Sequence, residues 1–254
     1  MKKRVIALAP FILWATFAYA SEMKMVFWYP GEAGTTEEAQ PLLDTFLDYV
    51  SGKVKTVKLT GRYFNTTEDG LSFIAKQKPS LAIISYAAWN ANKEKLTNAQ
   101  VWLATNPLPH GQKEESYFLV GKKPLAASGA AFSSEPLSPE FIKNQLGFSQ
   151  IQNFKQQSTS QILMKLKSIA EGTQAGAAIL TPTEGATFQK MTAPWTKSLE
   201  IIAKSKAVPT ARVVIFNQLP QEANNLRQVL LGLKNEPEAK EILEELRLVG
   251  FSEP

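Results

Sequence analysis

The sequence has no cysteine and one histidine, His110. Without cysteine there can be no disulfide, no thiolate metal site, no cysteine nucleophile and no lipidated cysteine to tether an exported chain. With one histidine, any Ser-His-Asp triad depends wholly on His110, which lies in a Pro/Gly loop, and no G-x-S-x-G elbow accompanies it. A histidine metal site would have a single imidazole. The chain also lacks a G-x-G-x-x-G or P-loop pattern. Glu37-Glu38 and Glu244-Glu245 are sequence neighbours that point to different helix faces, so neither forms an acid/base pair. No catalytic residue, metal ligand or cofactor is expected. A hydrolase would need a serine and His110 together in one cleft.

The one long apolar run is at the start. Met1-Lys2-Lys3-Arg4 is a basic segment, Val5 to Phe17 is mostly apolar, and Ala18-Tyr19-Ala20 is an A-x-A site before Ser21. That combination predicts a cleavable secretory signal peptide over residues 1–20, too short to span a membrane. Its removal takes Lys2, Lys3 and Arg4 and no acid, so the net charge falls from +5 to +2. A nearly balanced exported chain gives no basis for nucleic-acid binding. The expectation is a soluble, unlipidated periplasmic monomer.

The mature chain switches repeatedly between strand and helix periods. Met25–Tyr29 reads as a strand. Ala39, Leu42, Leu43, Phe46, Leu47 and Val50 then recur at helical spacing. Thr35-Thr36-Glu37-Glu38 fits a capping box, and Pro41 predicts a kink near the start of that helix. Thr56–Leu59, the unbroken apolar run Leu81–Ile84 and Val101–Thr105 read as further strands, with helices opening at Thr66 and near Ala87. This order predicts an α/β fold with a mainly parallel sheet covered on both faces.

A loose Ser/Pro-rich stretch, "AASGAAFSSEPLSPEF", follows Tyr117–Val120. A second, weaker alternation begins there. Its expected parts are a helix near Pro139–Leu146, a strand near Gln152–Phe154, a helix from Thr159 and a buried strand at Ala175–Leu180. Strands at Leu199–Ala203 and Val213–Phe216 come next, then helices near Gln221–Leu233 and Pro237–Leu248. The order predicts two open α/β lobes joined by two hinge crossings. Residues 21–119 and 211–254 would form the first lobe and 120–210 the second, with a cleft between them.

Ligands of open α/β sheets sit beyond the carboxyl ends of the strands, where helix N-termini present unpaired amides. The loop Tyr29 to Thr36, with Gly31 and Gly34, is the first such position, and Ser85-Tyr86 after the third strand is the second. Ser158-Thr159-Ser160 resembles an anion-binding helix start on the other lobe, and Thr181 to Glu184 ends a buried strand there. Each also has a plain structural reading: a tight turn for the glycines and a helix cap for Ser85 and Ser158–Ser160, while Glu184 would either meet a ligand amine or simply solvate an N-terminal turn. Tyr63, Phe64 and Asn65 complete the rim.

Four segments together carry a resemblance. "YPGEAGTTEEAQPLLDTFLDYV", "LTGRYFNTTEDGLSFIAKQKPSLAIISYAAW", "IAEGTQAGAAIL" and "EILEELRLVGF" resemble the phosphate/phosphonate-type periplasmic substrate-binding proteins of ABC transporters, which have the type II periplasmic binding protein fold. The resemblance covers the mature chain and lies in the order of elements and in diffuse motifs. It implies capture of a small anionic solute between two lobes and delivery to an ABC permease. Carried over by position, Tyr29, Gly34, Thr35, Ser85 and Tyr86 would face the cleft from the first lobe. The second lobe would offer a Ser/Thr-rich turn opening a helix. At the expected place this chain reads "AASGAAFSSEPLSPE", and Gly172-Thr173-Gln174-Ala175-Gly176 stands where the family usually carries a G-x-x-D-A acid. The alternatives are a sensor-type binding protein for a membrane receptor, or a degenerate lobe pair that binds protein.

Overall fold

The computed structural model describes residues 21–254, so the segment read as a signal peptide lies outside the described residues. β1 (Ser21–Trp28), α1 (Thr36–Val54), β2 (Val57–Phe64), α2 (Thr67–Gln77), β3 (Leu81–Ile84), α3 (Tyr86–Asn92) and β4 (Gln100–Pro107) alternate strictly. The short β5 (Glu114–Glu115) leads to β6 (Phe118–Gly121), β7 (Ala130–Ser133), β8 (Lys155–Ser158), α4 (Ile162–Glu171), β9 (Gly176–Leu180), α5 (Pro182–Lys190) and β10 (Glu200–Lys204). The equally short β11 (Val208–Pro209) returns to β12 (Arg212–Ile215), α6 (Leu226–Gly232), α7 (Pro237–Glu245) and β13 (Leu248–Ser252).

Two sheets result. The first has the order β13-β4-β12-β3-β1-β2, and the second β10-β6-β9-β7-β8. β1 is parallel to β2 and β3, and β12 runs antiparallel between β3 and β4. In the second sheet β7 is parallel to β8 and β9, with β6 antiparallel between β9 and β10. Four of the six strands in the first sheet and four of the five in the second run the same way, and the antiparallel β12, β13 and β6 make both sheets mixed; the period-2 alternation of β1 shows why each face must be covered. Phe27 packs with Leu43, Phe46 and Leu47 of α1, while Val26 and Trp28 point the other way into a cluster with Ala82, Ile84 and Ala88.

Between the sheets, β5 and β11 form a two-stranded antiparallel ribbon, with Glu115 opposite Val208 and Glu114 opposite Pro209. The pairing extends beyond the ribbon. Thr210 N–H donates to Lys113 O at 3.0 Å, and Tyr117 N–H donates to Ser205 Oγ at 2.9 Å. Thr210 Oγ1 also donates to Thr105 O at 2.6 Å and to Lys113 O at 3.2 Å, and this residue is 1% exposed. The two crossings are thus one hydrogen-bonded unit.

Five sequence expectations are corrected. The stretch read as a loose connector contains β7, a wholly buried strand of Ala130, Ala131, Phe132 and Ser133. Its small residues lack the branched run that marks a core strand. The strand expected at Gln152–Phe154 is displaced to Lys155–Ser158, behind a 3-10 turn at Ser149–Ile151. The helix expected from Thr159 starts at Ile162, and the region near Pro139–Leu146 forms a single π-type turn, Phe141–Leu146. At the C-terminus α7 stops at Glu245, Arg247 takes a left-handed φ of 58°, and Leu248–Ser252 turns back as a strand on β4. The helix α1 runs unbroken from Thr36 to Val54 through Pro41.

Candidate ligand-binding cleft

The loop after β1 is held by the end of β2. Tyr29 N–H donates to Phe64 O and Gly31 N–H to Asn65 O, both at 2.9 Å, and Asn65 Nδ2 donates to Gly34 O at 2.5 Å. The Gly31 amide is thus consumed by the scaffold and is not free for a ligand. What Gly31 provides is a close approach. Its φ is +90°, and a Cβ there would overlap the Ser134 carbonyl and stand 2.8 Å from Glu135 Cα. Ser134 and Glu135 follow β7 in the second sheet, so this is direct contact between the lobes.

The second-lobe turn is equally ordered. Ser133 Oγ donates to Glu135 O at 2.6 Å, and Thr159 N–H donates to Ser133 O at 2.8 Å. Tyr117 hydroxyl, at the end of the crossing ribbon, donates to Glu135 Oε2 at 2.5 Å. Glu135 is 6% exposed and Tyr117 4%. Where the resemblance leads to a Ser/Thr-rich anion turn, this chain has a buried carboxyl group.

Glu135 is not alone. Burial pushes its carboxyl up to about 8, and the charges of Glu115, Glu32 and Glu184 add to the rise against the Tyr117 hydrogen bond. Burial with Glu32 nearby carries Glu115 up to about 7. Glu32 is itself raised by burial and by Glu184, with Arg247 and the Ala33 backbone acting in the opposite sense. Burial is also the main cause lifting the phenols of Tyr29, Tyr63 and Tyr117, helped in each by neighbouring glutamate charge. Glutamates from the first loop, the ribbon, the β7 turn and α5 therefore share one electrostatic region.

The opposite charge enters from β12. Arg212 pairs with Ile84 at the carboxyl end of β3, and its guanidinium lies 5.9 Å from the Tyr86 ring centre. One of its nitrogens, Nη1, is buried with no hydrogen-bond partner. A buried N–H without an acceptor is uncommon and calls for an explanation. The Tyr86 ring packs in turn on Phe141 of the second lobe, centre to centre 6.1 Å, and Phe141 meets Tyr117 at 6.4 Å.

The sequence-derived residues divide unevenly. Tyr29 is half-buried among the glutamates, and Tyr86 bridges the lobes. Gly34 and Thr35 are exposed, and Thr35 forms the capping box with Glu38 at the start of α1. Ser85 caps α3 through Ala88 N–H at 3.3 Å. Thr181 and Glu184 form a second capping box on α5, with Glu184 Oε2 accepting from Thr181 N–H at 2.8 Å. Ser158, Thr159 and Ser160 lie at the carboxyl end of the edge strand β8. Thr159 Oγ1 accepts from Gln161 N–H, and the cap residue of α4 is Gln161, which makes no side-chain cap bond. His110 is exposed in the loop after β4. Missed from sequence were Glu32, Glu115, Tyr117, Glu135 and Arg212. The available signal was the Glu in the turns leaving β1 and β7, Glu32 and Glu135; nothing local marked Glu115, Tyr117 or Arg212.

Against known proteins, residues 88–254, well over half of the chain, match the family described as ABC transporter, phosphonate, periplasmic substrate-binding protein. The chain belongs to this family. Family membership makes it a periplasmic solute-binding component of an ABC importer, with a small-molecule ligand and a permease as partners. The match begins inside α3, so the first-lobe loop lies outside it. Solved structures extend the fold across the first lobe. A Prochlorococcus marinus protein solved in complex with methylphosphonate is 15% identical, with a TM-score of 0.66 over 92% of this chain and 93% of its own. A Xanthomonas citri protein solved bound to ATP is 14% identical, with a TM-score of 0.69 over 92% and 91%. The binding component of a Pseudomonas aeruginosa ABC phosphonate transporter is 14% identical, with a TM-score of 0.64 over 92% and 81%. No curated protein matches the sequence. Among the described residues no helix is long and apolar enough to cross a membrane, and no group of His, Cys, Asp and Glu is arranged to hold a metal ion.

Proposed function

We propose that this phosphonate-family protein captures a small anionic solute by closing two lobes, residues 21–119 with 211–254 and residues 120–210, about the β5–β11 ribbon. It acts as an unlipidated periplasmic monomer with no catalytic activity of its own, after loss of residues 1–20. The single observation that carries the reading is the orphaned Nη1 of Arg212. A cation with a buried, unpaired donor beside an inter-lobe aromatic bridge is supplied for an acceptor the chain itself does not contain. Tyr29 and Tyr86 would contact the solute beside it. Gly34, Thr35, Ser85, Thr181 and Glu184 contribute by fixing the helix starts at the rim, and Ser158–Ser160 by extending the second-lobe rim.

The test is thermal unfolding and calorimetry of the mature chain from Ser21 against methylphosphonate, inorganic phosphate, sulfate and carboxylates. A ligand at 100 times its dissociation constant stabilises the native state by about 2.7 kcal/mol. A melting shift confined to phosphonates or phosphate names the solute class. No shift with any anion, from folded protein, overturns capture of an anion.

A further inference from the structure

The carboxyl group of Glu135 is at odds with an anion site. Its surroundings come from every side of the cleft: Tyr117 and Glu184 from its own lobe, Glu115 from the ribbon, and Glu32 from the first lobe, with Gly31 packed on its backbone. None of these four glutamates takes part in a salt bridge among the described residues. Arg247 is the one cation acting on the group, through Glu32 and Tyr63. Because Gly31 of the first lobe packs on the Glu135 backbone, separating the lobes would hydrate Glu135 and take Glu32 away from it.

We propose that lobe closure loads a proton onto Glu135, turning it into a neutral hydrogen-bond donor, so that capture of an anionic solute tightens as pH falls. The proton comes from solvent and returns there on opening. Tyr117 continues to donate to Oε2, which leaves the acid proton on Oε1 free to meet an anion oxygen. This deepens the capture reading and rests on it.

The sign follows from linkage. With the lobes in contact as described the carboxyl sits near 8, whereas a carboxyl hydrated by lobe opening would return toward the ordinary value of about 4.3. Below that lower value Glu135 is neutral in both states, and closure is unopposed. Between the two values closure must bind a proton, and it becomes about tenfold less favourable per pH unit at the limit. Above about 8 the closed state holds a buried charge among like charges.

Two labels read closure directly, because a chain without cysteine takes them uniquely at Lys76→Cys on α2 and Lys190→Cys on α5, both exposed. Energy transfer between them is measured from pH 5 to 9 without ligand, in the parent and in Glu135→Gln and Glu115→Gln, with circular dichroism checking each fold. The parent is expected to open as pH rises. Glu135→Gln should stay closed across the range, and Glu115→Gln should open at higher pH than the parent. Calorimetry with methylphosphonate in buffers of different ionisation enthalpy should show proton uptake by the parent and at least threefold less uptake by Glu135→Gln. A parent whose closure ignores pH, or identical profiles for parent and Glu135→Gln, overturns the proposal. Since closure is read without ligand, a pH-dependent parent that binds no anion overturns the capture reading and with it the tightening of capture, whereas a parent that binds anions but closes independently of pH overturns the proton step alone.

Discussion

Gly31 and Arg212 work on the same cleft by different means, and single substitutions separate them. Gly31→Ala adds a methyl group where the Ser134 carbonyl already lies and forces a side chain into a left-handed backbone worth about 1–2 kcal/mol of strain. The lobes are then expected to stop short of contact, with solute affinity down at least about tenfold and the label distance lengthened at every pH. Arg212→Gln keeps the backbone and removes the charge. A charge-assisted hydrogen bond is worth about 1.5–3 kcal/mol, so anion affinity should fall by roughly one to two decades while the melting temperature without ligand changes little. Energy transfer between the two labels distinguishes the variants, because only Gly31→Ala also alters the ligand-free closure signal.

At the scale of elements, several residues that point to a ligand in the sequence turn out to be employed as caps. Thr35→Ala and Thr181→Ala should each cost about 1 kcal/mol in urea unfolding, the ordinary value of an N-cap, and Thr35→Ala should leave solute affinity within twofold. The capping box at Thr35 was legible because its spacing is local, whereas the one at Thr181 was read as a strand end. The strands were legible where branched apolar residues run together, as in Leu81–Ile84, which the structure reproduces residue for residue. β7 was not, since Ala and Ser carry little strand propensity and its burial comes from β8 and β9 on either side. The same blindness hid Glu135. A reader who does not see a strand ending at Ser133 cannot place the next residues in a cleft. Arg212 was invisible for a second reason, because its contact with Tyr86 spans a separation set entirely by tertiary pairing.

For the whole molecule, the raised carboxyls make stability depend on pH in a definite direction. Glu135 and Glu115 bind protons more tightly folded than unfolded, so their contribution is fully present in acid and is lost as pH rises through about 7 and 8. The ligand-free melting temperature should therefore decline from pH 6 to 9, less steeply in Glu135→Gln, as calorimetric scans would record. The order of the first sheet carries a further consequence. β12 sits between β3 and β4, and β13 closes the far edge, so the sheet begun by residues 21–107 has a gap at its centre until residue 215 is in place. The first half of the chain cannot finish its own core during synthesis. It must wait for the last fifth of the polypeptide. A fragment ending at residue 119 should show no cooperative melting, and the entire chain should remain threadable until its C-terminal segment arrives.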